Sequence, residues 1–263
     1  MDARALALEA LCLADPAAKV RAARELLAAL RDDAIEPDAA IAAPPGLPGR
    51  PPRPRLVPPK EVPSRSPATR EGRAALLHAI THIEFNAINL ALDAAWRFGG
   101  MPRAFYRDWL RVASEEALHF TLLREHLRTL GHDYGDFDAH DGLWTMAERT
   151  AGDIVARIAL VPRTLEARGL DATPPLQAKL ARAGDTRAVE ILDLILRDEI
   201  GHVAIGNHWY RWLCRRDGLD PHAHFERLLR EHAAPRLRAP FNTDARRAAG
   251  FSVAEIERLA QQG

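Results

Sequence analysis

Apolar residues recur every three or four positions through most of the chain, the spacing that places them on one face of an α-helix. Between residues 3 and 31 the apolar positions are Leu6, Leu8, Leu11, Leu13, Val20, Ala23, Leu26, Leu27 and Leu30. They predict one or two amphipathic helices with a break at Pro16. The pattern then stops. Pro44 to Pro67, PPGLPGRPPRPRLVPPKEVPSRSP, holds ten of the 19 prolines and can be neither helix nor central strand. Two readings stay open for it: a linker without fixed structure, or an extended strap held to the domain by Leu56, Val57 and Val62. Its basic residues, Arg50, Arg53, Arg55, Lys60 and Arg65, are read as solvated, with contact to an anion as the other option.

After Pro67 the helical period is strong. Ser66 as N-cap and Pro67 in the first turn open a helix over about 67–98, which Gly99-Gly100 stops. A second helix over about 102–130 opens at Pro102 and closes at Gly131. A third, over about 142–168, takes Asp141 as N-cap and Gly169 as its stop, with a short helical piece near 175–183. The fourth starts after Gly184-Asp185 and reaches about 215. Two smaller helices follow, one from Asp220-Pro221 and one at FSVAEI, where Ser252 and Glu255 form a capping box and Phe251 and Ile256 a hydrophobic staple. The expected fold is all-α: N-terminal helices and a Pro-rich arm over 1–66, a four-helix bundle over 67–215 and C-terminal helices over 216–263 packed on it.

Three of the long helices carry acids on their apolar faces. Within ASEEALHFTLL, Glu116 and His119 share a side with Val112, Ala113, Phe120 and Leu123. RDEIGHVAIG repeats the Glu-x-x-His with Glu199 and His202, flanked by Leu192, Ile195, Leu196 and Val203. Positions three apart on a helix differ by about 60°, so each Glu and His project together. Glu84 lies among Leu77, Ile80, Ala87, Ile88 and Ala91. The third long helix offers Glu148, Asp153 and Glu166, and an internal repeat selects Glu166: Glu84 precedes Glu116 by 32 residues and Glu166 precedes Glu199 by 33. Burying such groups bare is costly, whereas two divalent ions balance four carboxylates. The set Glu84, Glu116, His119, Glu166, Glu199 and His202 matches the ligands of di-iron and di-manganese bundles, and its oxygen and nitrogen donors suit Fe or Mn. Glu115 has polar flanks, Asp108 and Arg111, and is read as exposed. His78, His82, His208 and Glu190 are read as structural, and Arg163, Asp198 and Asn86 as candidates to hydrogen-bond the ligands.

These phrases, with HAITHIEFNAINLALDAAWRF, VPRTLEARGLD and RDEIGHVAIGNHW, resemble the ferritin-like superfamily across about 67–215. Within it they resemble a bacterial family of poorly defined function that is similar to the tRNA-hydroxylating di-iron monooxygenases. The resemblance implies the same six ligands, a pair of Fe ions (or Mn/Fe), and an oxidoreductase that activates O₂ or peroxide with an electron donor to hydroxylate a substrate. A ferroxidase-type metal-handling protein without an organic substrate is the alternative. The Pro-rich arm departs from minimal ferritins, and no Cys-x-x-Cys rubredoxin module is present.

Charge narrows the partners. Lys+Arg and Asp+Glu are 36 each, which argues against a strongly basic nucleic-acid surface and weakens, without removing, a tRNA substrate. Cys12 and Cys214 stand in no metal-binding spacing and form no disulfide framework, which suits a reducing compartment. The N-terminus, with Asp2 and Glu9 and no basic n-region, does not read as a signal peptide, and no apolar run is long enough to span a membrane. The expectation is a cytoplasmic protein, with a homodimer left open. There is no P-loop, dinucleotide fingerprint or Ser/Cys nucleophile motif.

Overall fold

The computed structural model describes residues 2–63, 65–235 and 237–262. Among these the regular structure is helical, apart from one isolated parallel bridge between Leu56 and Ala139, as the pattern predicts for an all-α chain. No described helix is long and apolar enough to cross a membrane. The chain divides into two compact units, Met1–Trp144 and Thr145–Gly263.

The first unit is built on α3 (Arg70–Arg97) and α4 (Arg103–Thr129), which pack along their length. Helix α1 (Ala3–Cys12) lies against α3, and α2 (Pro16–Ala28) lies mainly against α4. The predicted break at Pro16 is present: Asp15 accepts a hydrogen bond from the Ala18 amide at 2.7 Å, and Pro16 occupies the first turn. Helix α3 starts three residues later than expected. Thr69, not Ser66, is the N-cap and accepts from the Gly72 amide at 3.0 Å.

The Pro-rich arm is the strap of the two readings. Its backbone bonds to Ala139 on both sides of Leu56, the Val57 amide donating to Ala139 O at 2.8 Å and the Ala139 amide to Arg55 O at 3.0 Å. The Gly49 amide donates to Leu11 O at 2.9 Å. Three of its basic residues are paired inside the unit: Arg50 with Asp141 at 2.7 Å, Arg55 with Asp138 and Arg65 with Glu71. Asp141 therefore serves the strap. Two buried cations pin it and its neighbour. Lys19 donates to Gly49 O at 2.8 Å and to the Asn89 side chain, and burial pulls its pKa down to about 7. Arg4 donates to the carbonyls of Glu36, Pro37, Ala39 and Trp96 at 2.8–2.9 Å, closing the turn after α2 onto the end of α3.

His78 and His82 are buried and hold the loop after α4. The Gly135 amide donates to His78 Nε2 at 2.9 Å. Tyr134 O–H lies 2.9 Å from His82 Nδ1, and His82 Nε2 lies 3.1 Å from His140 O. A neutral His82 satisfies both contacts when Nε2 carries the proton. Burial pushes His78 down to about 4 and His82 to about 3.

The second unit departs most from expectation. The helix predicted over about 142–168 is interrupted. Helix α5 (Gly142–Arg149), which crosses the unit boundary, ends near Thr150. Asp153 then caps α6 (Ile154–Leu160) through the Ala156 amide at 3.0 Å. Buried Arg157 reaches back to the Thr150 hydroxyl at 2.8 Å and to Ala147 O, consuming acceptors at the break. A π-helical turn follows over Val161–Glu166, with Pro162 inside it and the Thr164 hydroxyl donating to Ala159 O at 2.8 Å. Gly169 does not stop the chain. Helix α7 (Ala167–Arg182) runs through it and through Pro174 and Pro175. Pro174 has no N–H for the Leu170 carbonyl, and Asn242 Nδ2 supplies that bond at 3.2 Å.

Helix α8 (Thr186–Arg216), capped by Asp185 through the Ala188 amide at 3.1 Å, packs against α6, α7 and the π turn. A Cβ at Gly206 would lie 2.8 Å from Pro162 Cβ, so glycine is needed for that approach. Helices α9 (Pro221–Glu231), α10 (Thr243–Ala248) and α11 (Val253–Gln262) complete the unit. The predicted capping box is formed: the Ser252 amide donates to Glu255 Oε2 at 2.8 Å and the Glu255 amide to Ser252 Oγ at 3.2 Å. Phe251 and Ile256 are buried with Ala249 and Val203.

Two consequences are measurable. A protonated His78 cannot accept from the Gly135 amide, and its folded pKa lies below the ordinary 6.5. Its contribution is therefore complete above about pH 6.5 and is lost as pH falls toward 4. At about 1.4 kcal/mol per pKa unit this is on the order of 3 kcal/mol. Urea unfolding should show stability falling across that window in the wild type, and His78→Gln should flatten the fall; an unchanged pH profile refutes the assignment. In the strap, a Cβ at Gly49 would lie 2.0 Å from Cys12 O. Gly49→Ala should cost about 2 kcal/mol or more and lower the melting temperature, and an unaltered melt would mean the strap yields freely.

Candidate metal centre

Glu84 is near the middle of α3, and Glu116 and His119 are one turn apart on α4. All three are buried, 3%, 1% and 0% exposed. The long, tightly packed α3–α4 pair brings them together. His119 Nδ1 lies 3.2 Å from Glu84 Oε2 and 3.2 Å from Glu116 Oε2, and one ligand atom from each residue lies within 4.8 Å of the others. The nitrogen that meets the carboxylates is Nδ1, which makes it the donor atom His119 would offer a metal.

Glu115 is half-buried, while its neighbour Glu116 is turned into the core among Val112, Ala113 and Phe120. Aromatic rings line the other side: Phe85 and Phe120, the residues after Glu84 and His119, pack at 5.5 Å, and Tyr134 sits against both at 5.3 and 5.1 Å.

In the second unit α8 repeats the motif. Glu199 and His202 are 9% and 0% exposed, and His202 Nδ1 lies 3.8 Å from Glu199 Oε1, so the same ring nitrogen again faces the carboxylate. Glu166 is half-buried and ends the π turn, an element that packs on α8. Glu148, the rejected rival on α5, is exposed, and Asp153 is the cap of α6.

Two side chains considered as partners of the ligands turn elsewhere. Asn86 Nδ2 lies 2.9 Å from His82 Nε2 and donates to His82 O at 3.0 Å. Arg163 donates to Asn207 Oδ1 at 2.8 Å and pairs with Glu255. Asp198 lies 3.0 Å from Arg197. Nothing in the periodicity marks Tyr134, whose only signal is an aromatic between glycine-flanked acidic turns, and His82, whose helical phase differs from that of Glu84 by about 160°, reads as a surface or interhelix histidine rather than a ligand. That phase is correct. A second buried layer covers that face.

A model of the family described as protein of unknown function DUF455 matches residues 12–257. The chain belongs to the DUF455 family. This DUF455 protein is also 60% identical over 214 residues to an uncharacterized protein of Haemophilus influenzae, a match covering 79% of this chain and 74% of the relative. No solved structure matches it. What the DUF455 chain itself presents is a buried Glu/His cluster able to hold a metal ion.

The cluster makes a direct prediction. After anaerobic incubation with Fe²⁺ or Mn²⁺ and removal of free metal, elemental analysis should find bound metal in the wild type and in Glu115→Ala. Glu116→Ala and His119→Ala should retain at least tenfold less. Metal kept by Glu116→Ala and lost by Glu115→Ala would reverse the assignment.

Proposed function

We propose that this DUF455 protein is a ferritin-like di-metal oxidoreductase, with iron as the preferred metal. The observation that carries the reading is the buried convergence of Glu84, Glu116 and His119 with Nδ1 turned to both carboxylates. The same Glu-x-x-His orientation at Glu199 and His202 supports it. In this reading Glu84, Glu116, His119, Glu166, Glu199 and His202 hold two divalent ions. Four carboxylates balance the charge of both, and each histidine gives one nitrogen. Bound iron would supply the electrons that reduce O₂ or peroxide and the oxidising power passed to an organic substrate.

The chain's own residues set the conditions. Each glutamate offers two oxygens on a flexible stem, so it could keep hold of an ion whose charge changes. Leu77, Ile80, Ile88, Val112 and Ala113, all buried, keep water from the helix faces that carry the first three ligands. The resemblance suggests tRNA as one substrate.

The reading is tested by anaerobic reconstitution with Fe²⁺ followed by addition of O₂. The expected result is about two iron per chain and rapid O₂ uptake, both lost in His119→Ala and His202→Ala. Repeated O₂ uptake with an added reductant would mark an oxidoreductase. A single round that ends with the iron oxidised would mark the ferroxidase-type alternative. Absence of metal uptake would overturn both.

A further inference from the structure

The chain has three tyrosines, and the partner of each hydroxyl separates them. Tyr106 donates to Phe98 O at 2.9 Å and Tyr210 to Pro221 O at 2.6 Å. A backbone carbonyl accepts a hydrogen bond but does not keep the proton. Tyr210 also neighbours Cys214, whose thiol burial pushes up, so the sulfur there is no base either. Tyr134 differs: its hydroxyl lies 2.9 Å from an imidazole nitrogen, His82 Nδ1.

The imidazole is oriented to receive that proton. His82 Nε2 lies 3.1 Å from His140 O, which can only accept, so the ring proton sits on Nε2 and the Nδ1 lone pair faces Tyr134. Asn86 Nδ2, 2.9 Å from the same Nε2, donates to His82 O. With a second proton on Nδ1, His82 would keep its bond to His140 O and donate back to the Tyr134 oxygen. No side chain has to turn for the transfer, and 2.9 Å is within the reach that proton transfer requires.

The Tyr134 ring also reaches the residues beside the candidate ligands. It packs at 5.3 Å on Phe85 and 5.1 Å on Phe120, which follow Glu84 and His119 in the chain. A phenol that loses an electron becomes a strong acid, and away from bulk water its proton needs a base at hand. We propose that Tyr134 is a one-electron donor to the di-metal centre, with His82 the acceptor of its proton; this rests on the di-metal reading above. In the step, one electron leaves the phenol for an oxidised metal ion of the centre, the Tyr134 O–H bond breaks and an N–H bond forms at His82 Nδ1. The products are a neutral phenoxyl radical, an imidazolium and a metal ion one charge lower. An electron from the external donor that the oxidoreductase uses, with return of the proton along the same bond, restores the pair.

The test is flash oxidation of the full-length, metal-free protein by photogenerated tris(bipyridyl)ruthenium(III), followed by electron paramagnetic resonance. Ring-deuterated tyrosine separates a tyrosyl from a tryptophanyl signal. The expected result is a tyrosyl signal that Tyr134→Phe removes and that Tyr106→Phe and Tyr210→Phe keep. His82→Gln, which offers an acceptor for the hydrogen bond but no base, should lower it at least tenfold. In deuterated water the wild-type signal should form at least twofold more slowly, a measurement that needs no variant to fold. No tyrosyl signal, a signal that survives Tyr134→Phe, or equal rates in the two waters would overturn the proposal. The iron-loaded protein, freeze-quenched after O₂ addition, should show the same signal. Iron and O₂ taken up without it would overturn the proposal and leave the di-metal reading standing. No iron uptake beside a Tyr134 signal on flashing would strike that reading and, with it, the electron acceptor named here.

Discussion

Carboxylates and imidazoles on the buried faces of long helices set the terms for the rest of this structure. Glu84, Glu116, His119, Glu199 and His202 occupy positions where leucine or alanine would complete an apolar stripe. Burying ionised groups costs several kcal/mol each unless an opposite charge or a set of hydrogen bonds answers them. On α3 and α4 the answer begins with mutual contact, since His119 Nδ1 faces two carboxylate oxygens at one distance. Such an arrangement holds its groups at separations a metal can exploit only if the two helices cannot slide. The remainder of the first unit bears on that requirement.

The clamps are polar. Arg4 ties the turn before the strap to the C-terminal end of α3, Lys19 ties the strap to Asn89 in its C-terminal half, and His78 and His82 tie the loop after α4 to its N-terminal half. Each is a buried group whose hydrogen bonds go to backbone carbonyls, a backbone amide or neutral side chains, so each fixes position without adding a competing carboxylate beside the candidate ligands. The lowered pKa values of Lys19, His78 and His82 follow from the same choice, because burial without an acid partner disfavours the charged form.

The second unit meets a different constraint, irregular backbone in a helical core. Pro162, Pro174 and the break at Thr150–Asp153 each disturb a helical ladder; Asn242 answers Leu170 O, Arg157 answers Ala147 O, and Gly206 leaves the room that Pro162 takes. A π turn is a common accompaniment of functional sites, since it re-aims one side chain without ending the helix. Here it ends on Glu166 and places Arg163 in an aromatic cage on α9, α8 and the segment before α11.

The sequence by itself determined the all-α class, the extents of α3, α4 and α8 to within a few residues, the break at Pro16, the capping box at Ser252, and the apolar faces that bury Glu116 and His119. All of these are written in neighbours three or four residues apart, a range over which helix geometry is fixed. The tertiary structure alone decided what depends on distant partners. The arm reads equally as linker or strap until Ala139 and Leu11 are seen to bond it. A helix over 142–168 looks continuous until Arg157 and Asp153 share out its carbonyls and amides. Gly169 looks like an end, yet α7 runs on through it and through Pro174, where Asn242, some seventy residues on, supplies the missing donor. His82 reads as either a surface or an interhelix histidine until Tyr134 and His140 are seen to bond it. For the arm, α7 and His82 the deciding hydrogen bond came from a residue that no periodicity connects to it.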